Sequence, residues 1–562
     1  MQKLYFSILT IFLSSQIFAQ SYNHVWSSPY GGIGEDVVRA MSVDDEGNTY
    51  TTGYFTDFAD FDPGDGETIL TANGFYDIFV QKIDADGNLV WAKSMGGPFF
   101  DYGTGIETDA EGNVYVTGVF QETVDFDPSE ETFELVSNGA EDIFVLKLDT
   151  DGNFVWAGSM GGPAYEEATS IGIDENGGIY VSGYFNEPGD YDPGILEYTL
   201  TSNGGQDAFV VKLTPEGGLA WARSYGGPDQ VISLGMDVAP NGDIFLTGMY
   251  SGTANFDPTG NSNQERTANS DGHDSYVLKL NSLGEFFYVA VFGGSQGDTS
   301  WDVAIDNDGN AYAAGGFQDT FVYGLESLTS EDNEDVFVVK VDAFGNINWA
   351  RGIHGTDFQN AYDVNTDPSG NVLIAGYFNG TADFDPSEEE DMSMTKESTE
   401  PFDAFFAVFN TDGNYVYAAQ FGGSNFTDHH GIDSDLDGNL YLAAAFQNTV
   451  DLNPNPDQTD ESSVVAFRDS YVIKMEPITV GLLQVEPLKA IAVYPNPARD
   501  NIELTLSASA QNPEYFIFDV RGAQVLSGNI SAPMGKVDVS ELPAGTYVVM
   551  VAGHQPAKWI KH

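Results

Sequence analysis

Six copies of a short acidic motif hold the residues of this chain best suited to bind a metal ion. Each copy reads acid–aromatic–acid–proline or a close variant, and the copies begin at positions 60, 125, 190, 255, 383 and 451. In an extended segment, residues i and i+2 point to the same side about 7 Å apart, so the two carboxylates face one way and the ring faces the other. A hard cation such as Ca²⁺ would relieve the repulsion between the carboxylates. The predicted calcium ligands are Asp60, Asp62, Asp125, Asp127, Asp190, Asp192, Asp257, Asp383 and Asp385.

The same motif also has a purely structural interpretation. Two side chains supply fewer oxygens than the roughly six to eight that Ca²⁺ takes. Each aspartate can instead accept backbone N–H groups and cap its loop. Presence in six copies favours a role in building the repeat, and in the fifth repeat Phe321-Val322-Tyr323-Gly324 stands in place of the motif. Both interpretations stay open at this stage.

Catalytic chemistry finds little support in the sequence. His273, His354, His429 and His430 fall in links that can share one side of the fold, where an acid–base or metal site is conceivable. The Asp-Gly-Asn turns lack the glutamate at position 12 of an EF-hand loop and indicate hairpins. The chain contains no GxSxG elbow, phosphate-binding glycine loop, HExxH helix or cysteine. No catalytic residue and no organic cofactor is predicted.

These residues belong to a long internal repeat. An aromatic residue recurs at Trp26, Trp91, Trp156, Trp221, Tyr288, Trp349 and Tyr417, at spacings of 65, 65, 65, 67, 61 and 68 residues. Such a period indicates one supersecondary unit copied many times. Each unit predicts four short strands, here named A to D. In the second copy of this unit, strand B is about Val114–Phe120 and strand D about Phe154–Met160, and tight turns such as Asp109–Asn113 join neighbouring strands. Short links between neighbours predict antiparallel sheets.

The order of the strands predicts a closed ring. Strands A and C each occur seven times, but strand D follows only the first six C strands, and its seventh copy is His24–Ser28. The N-terminal strand should therefore complete the last sheet beside Ser470–Met475 and remove exposed sheet edges. The predicted fold is all-β: a seven-bladed β-propeller of four-stranded blades followed by a small C-terminal β-sandwich. An open solenoid with a loose first strand is the alternative.

Two repeated positions inside the strands predict structural roles. A lysine in strand C recurs six times and suggests a repeated charge pair with a neighbouring strand. A glycine in strand B also recurs six times and suggests close packing between blades near the axis. The lysines are Lys82, Lys147, Lys212, Lys279, Lys340 and Lys474, and the glycines are Gly53, Gly118, Gly183, Gly248, Gly315 and Gly376.

The charge of the chain restricts its partners. It carries 86 acidic and 20 basic residues, a formal net charge of −66. Such a field repels nucleic acid and anionic membranes, and it favours cations and solubility. No stretch after residue 20 has the roughly 18 apolar residues of a spanning helix. We expect a monomer with no nucleic-acid partner and no transmembrane segment.

The two ends of the chain indicate export. Residues 1–20 combine Lys3, an apolar run and Ala19-Gln20, which together predict a secretory signal peptide. The repeats span 21–476, a linker spans 477–489, and 490–562 alternates short strands with Gly and Pro, which indicates the sandwich.

Both large segments resemble known families. The stretches GNVYVTGVF, DIFVLKLD and FVWAGSMGG resemble the bacterial seven-bladed propeller (SBBP) repeat, which implies a propeller and no single activity. The C-terminal segment closely resembles the sorting domain of the type IX secretion system of Bacteroidetes. That resemblance rests on Tyr494–Pro497, Phe518–Gly522, Leu542–Tyr547 and the basic residues Lys558 and Lys561. It implies contact with the secretion machinery through 490–562 and passage through the outer membrane.

Three functional hypotheses follow. The first is a secreted or cell-surface, non-enzymatic module that binds a glycan or a protein. This hypothesis is based on the similarity of the repeats, in which no group of residues departs from the common pattern as an active site would. The second is a polysaccharide-active hydrolase or lyase, which a deep axial pocket gathering non-repeat acids and aromatics would favour. The third is a calcium-stabilised structural domain at the cell surface.

Overall fold

The structure is a computed structural model that forms two compact units, Met1–Ile478 and Thr479–His562. Each unit is described by itself. The described residues are 21–269, 272–385, 387, 392–395, 402–422, 427–454, 461–463, 467–478, 489–506, 514–520, 523–530, 534–551, 554–555 and 557–562. The predicted signal peptide and residues 479–488 of the predicted linker lie outside them.

The regular structure of the first unit consists of forty strands in the described residues. The first nineteen are β1 (Tyr22–Gly32), β2 (Asp36–Val43), β3 (Thr49–Phe55), β4 (Phe58–Asp60), β5 (Ile69–Thr71), β6 (Asp77–Ile83), β7 (Leu89–Met95), β8 (Tyr102–Thr108), β9 (Val114–Phe120), β10 (Thr123–Asp125), β11 (Glu134–Val136), β12 (Asp142–Leu148), β13 (Phe154–Met160), β14 (Glu166–Ile173), β15 (Ile179–Phe185), β16 (Gly189–Asp190), β17 (Thr199–Leu200), β18 (Asp207–Leu213) and β19 (Leu219–Tyr225). The others are β20 (Val231–Val238), β21 (Ile244–Tyr250), β22 (Thr253–Asn255), β23 (Glu265–Thr267), β24 (Asp274–Leu280), β25 (Phe286–Gly294), β26 (Thr299–Ile305), β27 (Ala311–Tyr323), β28 (Glu326–Val341), β29 (Ile347–Gly355), β30 (Gln359–Thr366), β31 (Val372–Phe378), β32 (Thr381–Asp383), β33 (Ser393–Thr395), β34 (Asp403–Phe409), β35 (Tyr415–Phe421), β36 (Thr427–Ser434), β37 (Leu440–Phe446), β38 (Thr449–Asp451), β39 (Glu461–Ser463) and β40 (Asp469–Pro477).

Within the described residues these strands form seven groups of four antiparallel strands, called sheets here and numbered in chain order. In order of strands A to D, they are sheet 1 (β2-β3-β6-β7), sheet 2 (β8-β9-β12-β13), sheet 3 (β14-β15-β18-β19), sheet 4 (β20-β21-β24-β25), sheet 5 (β26-β27-β28-β29), sheet 6 (β30-β31-β34-β35) and sheet 7 (β36-β37-β40-β1). Pairing of β25 with β27 joins sheets 4 and 5, and pairing of β1 with β4 extends sheet 7. This all-β arrangement is consistent with the blades of a propeller.

The N-terminal strand lies at the edge of the last sheet. β1 pairs antiparallel with β40, and Trp26 lies opposite Lys474. The A strands also contact one another in cyclic order, from β2 through β8, β14, β20, β26, β30 and β36 and back to β2. The A strands therefore surround a common axis.

The cores lie between neighbouring sheets. Every residue of β9 is buried, because both faces of its sheet are covered. One apolar cluster joins Tyr50 of sheet 1 to Val116 of sheet 2. Tight turns join the strands; in one of them Asp109 Oδ1 accepts the N–H of Asn113 at 2.9 Å, and Gly112 has a φ of 79°.

A β-bulge in strand A explains the repeated glycine of strand B. In sheet 1 the register shifts between Val38 and Ala40, so that Arg39 is the extra residue. A Cβ on Gly53 would lie 2.0 Å from the carbonyl oxygen of Val37. Because glycine has no side chain, the bulged strand A of the same sheet can lie close to strand B at this position. The prediction of packing between blades at this position is wrong, because the close neighbour belongs to the same sheet.

The repeated lysines pack mainly against aromatic rings. Each ammonium group lies 4.6 to 5.1 Å from the centroid of a cross-strand ring in strand B, a cation–π contact. Lys212 and Lys279 also form ion pairs, with Asp174 at 2.9 Å and Asp243 at 3.1 Å. In the described residues the predicted charge pair is therefore present in two sheets, and the ring contact is the shared feature.

The second unit contains nine strands in the described residues. They are β41 (Lys489–Ala490), β42 (Ala492–Tyr494), β43 (Asn501–Thr505), β44 (Glu514–Asp519), β45 (Gln524–Asn529), β46 (Met534–Asp538), β47 (Gly545–Val551), β48 (His554–Gln555) and β49 (Ala557–Lys561). A sheet β42-β43-β46 and a sheet β45-β44-β47-β49 enclose a core that includes the fully buried Trp559. Asn496 connects the proline-rich motif to the C-terminal strand, since its Oδ1 accepts the N–H of Ile560 at 2.9 Å. Among the described residues of the whole chain, no helix has the length and apolar character needed to cross a membrane.

Candidate functional site

The predicted calcium ligands lie in loops where they accept backbone hydrogen bonds. Asp125 Oδ1 accepts the N–H groups of Asp127 at 3.1 Å and Phe133 at 2.8 Å, and Asp127 Oδ1 accepts that of Ser129 at 2.9 Å. The same pattern holds for the first aspartates Asp60, Asp190 and Asp383 and the second aspartates Asp62, Asp192 and Asp385. Asp257 accepts from Thr259 and Ser262. These contacts support the loop-capping interpretation.

Each motif also connects its sheet to the preceding one. Asp125 forms a backbone bridge with Gly96, which follows strand D of sheet 1, and Asp190 forms the same bridge with Gly161. The ring between the two acids is fully buried: Phe61 stacks on Tyr30 of β1 with centroids 5.5 Å apart. The motif thus opens a small hairpin, β10–β11 in sheet 2, that docks on its neighbour.

Calcium binding by these loops stays a prediction. Among the described residues, no group of three or more His, Asp or Glu side chains is arranged to hold a metal ion. Hydrogen bonds from Ser262 and Thr259 outweigh burial and lower the pKa of Asp257 below its ordinary value, so this carboxylate is ionised without a cation.

The predicted histidines have separate partners. His354 Nδ1 lies 2.8 Å from Asp335 Oδ2, and His273 Nε2 lies 3.0 Å from Thr299 Oγ1. Burial lowers the pKa of His273, which favours its neutral form. His429 and His430 lie in β36, and their side chains lie outside the described residues.

The fifth sheet differs from the others where the motif is missing. Its strands β27 and β28 are longer and pair from Ala311–Val341 out to Tyr323–Glu326, with a register shift between Gln318 and Thr320. The separate hairpin of the other sheets is replaced by this longer one.

A cavity of about 530 Å³ lies among the A strands and is lined by all seven of them. Bulges re-aim side chains, and here six bulged residues line the cavity. They are Arg39, Thr104, Thr169, Leu234, Trp301 and Tyr362. Trp301 and Tyr362 meet edge to face, with centroids 5.0 Å apart. We refer to this space as the axial cavity.

Four carboxyl groups of the axial cavity, those of Glu107, Asp237, Asp302 and Asp363, lie on different A strands. Asp237 Oδ2 accepts the N–H of Ile305 at 2.9 Å, and Asp363 Oδ2 accepts that of Ile432 at 2.6 Å. The donor of each of these bonds belongs to the A strand of the next sheet. Within the described residues, the A strand is the edge of its sheet on the side of the axis, so its outward N–H groups have no paired strand. The carboxylates therefore connect neighbouring sheets.

Burial and mutual repulsion perturb these acids. Burial, with the charges of Asp433 and Asp237, raises the pKa of Glu107 to about 7. Burial raises the pKa of Asp237 to about 6 and that of Asp433 to about 7. Asp302 and Asp363 share a hydrogen bond between their carboxyl groups. Burial raises the pKa of both, and the charge of Asp302 raises the pKa of Asp363 further. A hydrogen bond between two carboxyl groups requires that one of them carries the proton.

A second set of buried acids lies between the sheets, where strand C of one sheet meets strand A of the next. Asp36 and Asp469 form one such pair, and each has an Oδ1 atom that is buried and makes no hydrogen bond. Asp142 with Glu166 and Asp274 with Asp298 repeat this arrangement. Burial, with the charge of Asp469, raises the pKa of Asp36 to about 8.

The sequence-based interpretation missed the axial residues. The predicted calcium ligands came from positions that are the same in most repeats. The four axial carboxyl groups and the aromatic pair occupy positions that vary between repeats, and they were therefore not among the candidates. The available signal was one repeat position whose residue type differs between most repeats, with threonine in two of them. Its seven residues are Arg39, Thr104, Thr169, Leu234, Trp301, Tyr362 and His430.

The comparison with known families concerns the second unit. Residues 492–562 match the family described as "Secretion system C-terminal sorting domain". The chain carries a type IX secretion sorting domain. It is therefore exported by the type IX secretion system, to the cell surface or beyond.

Similar sequences in other organisms support the repeat architecture. The chain is 22% identical over 488 residues to the "Uncharacterized WD repeat-containing protein L264" of Acanthamoeba polyphaga mimivirus, an alignment of 70% of this chain and 34% of that protein. It is 27% identical over 160 residues to the "Regulatory protein FlaEY" of Caulobacter vibrioides, covering 27% of this chain and 16% of that protein. The chain thus spans about a third or less of either relative. WD repeats build propeller blades, which agrees with the four-stranded sheets.

The chain also matches solved structures, and PorZ is among them. PorZ, a surface component of the type IX secretion system of Porphyromonas gingivalis, aligns with 95% of this chain and 100% of its own at 9% identity. The TM-score is 0.24, a value too low to support an inference about fold or function.

Proposed function

We propose that this chain is a seven-bladed β-propeller, secreted or displayed at the cell surface, that binds a ligand in its axial cavity. The cyclic contacts of the A strands and the pairing of β1 with β40 support the blade number and the closure. In this proposal residues 1–20 are a signal peptide, 21–476 the propeller of SBBP type, 477–489 a linker and 490–562 the sorting domain.

The observation that carries the binding role is the composition of the axial cavity. Most residues of the repeat build or connect sheets, as the buried ring and the capped turns of the acidic motif do. The cavity collects positions that differ from sheet to sheet, including Arg39, Trp301 and Tyr362. Aromatic side chains beside polar groups in a concave site are typical of ligand recognition.

A binding screen on the purified chain tests this proposal. Glycan and protein arrays should give ligands whose affinity falls at least tenfold in Trp301→Ala and Tyr362→Ala. Phe344→Ala is the matched control, because Phe344 is an exposed aromatic residue in the C–D turn of sheet 5, with 79% exposure. Ligands that bind all three variants equally would place the binding surface elsewhere and contradict the proposal.

A second candidate function is cleavage of a polysaccharide by a hydrolase or a lyase reaction. It is favoured by the Asp302–Asp363 pair, because two carboxyl groups joined by a hydrogen bond can supply an acid and a base. Turnover of a glycan that Asp302→Asn and Asp363→Asn both abolish, with binding retained, would establish this activity over the binding role.

A further inference from the structure

We propose that the ligand of the axial cavity carries a protonated amine, held among the carboxyl groups with its carbon skeleton against Trp301 and Tyr362. This inference rests on the proposed binding function and names the chemical class of the ligand. Five acidic side chains line the cavity, Glu107, Glu167, Asp237, Asp302 and Asp363, against one basic side chain, Arg39.

The single arginine does not neutralise the interior. Arg39 is exposed, and its guanidinium lies 4.9 Å from the ring centroid of Tyr102, a cation–π contact. Glu167 accepts a hydrogen bond from the Tyr184 hydroxyl. Among the described residues, the other acids accept hydrogen bonds from neutral donors, such as Ile305 N–H to Asp237 at 2.9 Å and the Ser42 hydroxyl to Glu107 at 3.1 Å. The interior therefore has a surplus of negative charge that a cation would compensate.

The form of the site favours an organic cation over a metal ion. The axial acids come from different sheets, and no three carboxylates among the described residues converge at metal-binding distance. A volume of about 530 Å³ is far larger than one ion needs. An ammonium group spreads its contacts over several hydrogen-bond acceptors and is attracted to aromatic faces. Trp301 and Tyr362 lie in the same cavity as the acids.

The protonation of the acids gives this site a measurable signature. Burial raises the pKa of Glu107 to about 7 and that of Asp237 to about 6, so part of the interior holds protons at neutral pH. A bound ammonium group stabilises the ionised carboxylates and releases those protons. Binding should therefore tighten as the pH rises from 5.5 to 8, while an aliphatic amine, with a pKa of about 10.4, stays charged.

The test is isothermal titration calorimetry of the full chain with cadaverine and with 1,5-pentanediol. The diol has the same carbon chain as cadaverine and carries no charge. We expect cadaverine to bind at least tenfold more tightly, to release protons, and to gain at least fivefold in affinity between pH 5.5 and pH 8. Asp302→Asn with Asp363→Asn, and separately Trp301→Ala, should each weaken binding at least tenfold. Each asparagine keeps an acceptor for its backbone N–H. The control is Asp86→Asn, an exposed turn residue of sheet 1.

Each alternative outcome has a distinct meaning. The inference is overturned if the diamine and the diol bind with equal affinity. It is also overturned if the Asp86→Asn control loses as much cadaverine affinity as the axial variants do. A neutral glycan that requires Trp301 while cadaverine does not bind overturns the inference and leaves the proposed function standing. Absence of any axial ligand in this titration and in the array screen overturns both.

Discussion

Replacing Asp36 by asparagine should stabilise the first unit, and more at high pH than at low pH. Asp36 is fully buried, its Oδ2 accepts the N–H of Gly32 at 2.6 Å, and its Oδ1 has no hydrogen-bond partner. Its neighbour Asp469 also has a buried Oδ1 without a partner, and burial raises the pKa of Asp469 to about 7. The substituted side chain would keep the bond to Gly32 through its amide oxygen, and its amide N–H group can donate to Asp469.

The sign follows from proton linkage. Burial, with the charge of Asp469, raises the pKa of Asp36 from 3.8 to about 8. The unfolded chain therefore loses this proton above pH 4, while the folded chain keeps it up to about pH 8, so the free energy of unfolding falls across that window. Between pH 5 and pH 8 the loss is roughly 4 kcal/mol, at about 1.4 kcal/mol per pH unit. The unfolding entropy is roughly 2.1 cal/mol/K per residue, so in a unit of this size each kcal/mol lost from the free energy of unfolding lowers the Tm by about 1 °C.

Differential scanning calorimetry at pH 5 and pH 8 checks this expectation. The Tm advantage of Asp36→Asn over the parent chain should grow by about 4 °C between the two values. Asp86→Asn, an exposed control that removes one charge, should show no such growth. Asp101→Asn should lower the Tm at pH 5, because both oxygens of Asp101 accept backbone N–H groups, from Gln121 at 2.9 Å and Gly97 at 2.7 Å. If Asp36→Asn lowers the Tm equally at both pH values, the pair does not share a proton and the reasoning fails.

Three further expectations address closure, the acidic motif and export. Deleting residues 21–32 removes β1 and leaves β40 as an open edge, so the Tm should fall by roughly 10 °C and oligomers should form in light scattering; an unchanged monomer would contradict the closed ring. Asp125→Ala should lower the Tm by a few degrees with or without calcium, because it removes two turn hydrogen bonds; a calcium-induced rise in Tm that Asp125→Asn abolishes would instead establish the predicted calcium site. Removing 492–562 should leave the protein inside the outer membrane, measured by cell fractionation, whereas unchanged appearance at the surface or in the medium would refute the export route.

The sequence alone determined the repeat, its strands and the sorting domain, because these depend on local patterns. Alternating apolar residues and Asp-Gly-Asn turns predict strands such as Val114–Phe120 and Phe154–Met160, and the structure has both with those bounds. The displaced D strand predicts pairing of the N-terminal strand with residues 470–475, and β1 pairs with β40 there. The proline and basic motifs of the second unit are similarly local, and the family match over 492–562 confirms the sorting domain that they predicted.

Tertiary structure decided what lies at the axis. Glu107, Asp237, Asp302 and Asp363 lie far apart in the chain, on four different A strands, and only the cyclic packing of A strands places them in one cavity. The bulge that turns Trp301 inward is a register shift between two strands, which no spacing within one strand reveals. The acidic motif showed the reverse, since its spacing suggested a metal site while its contacts are turn N–H groups. Periodicity specifies the repeated sheet, whereas the properties of the cavity depend on the positions at which the repeats differ.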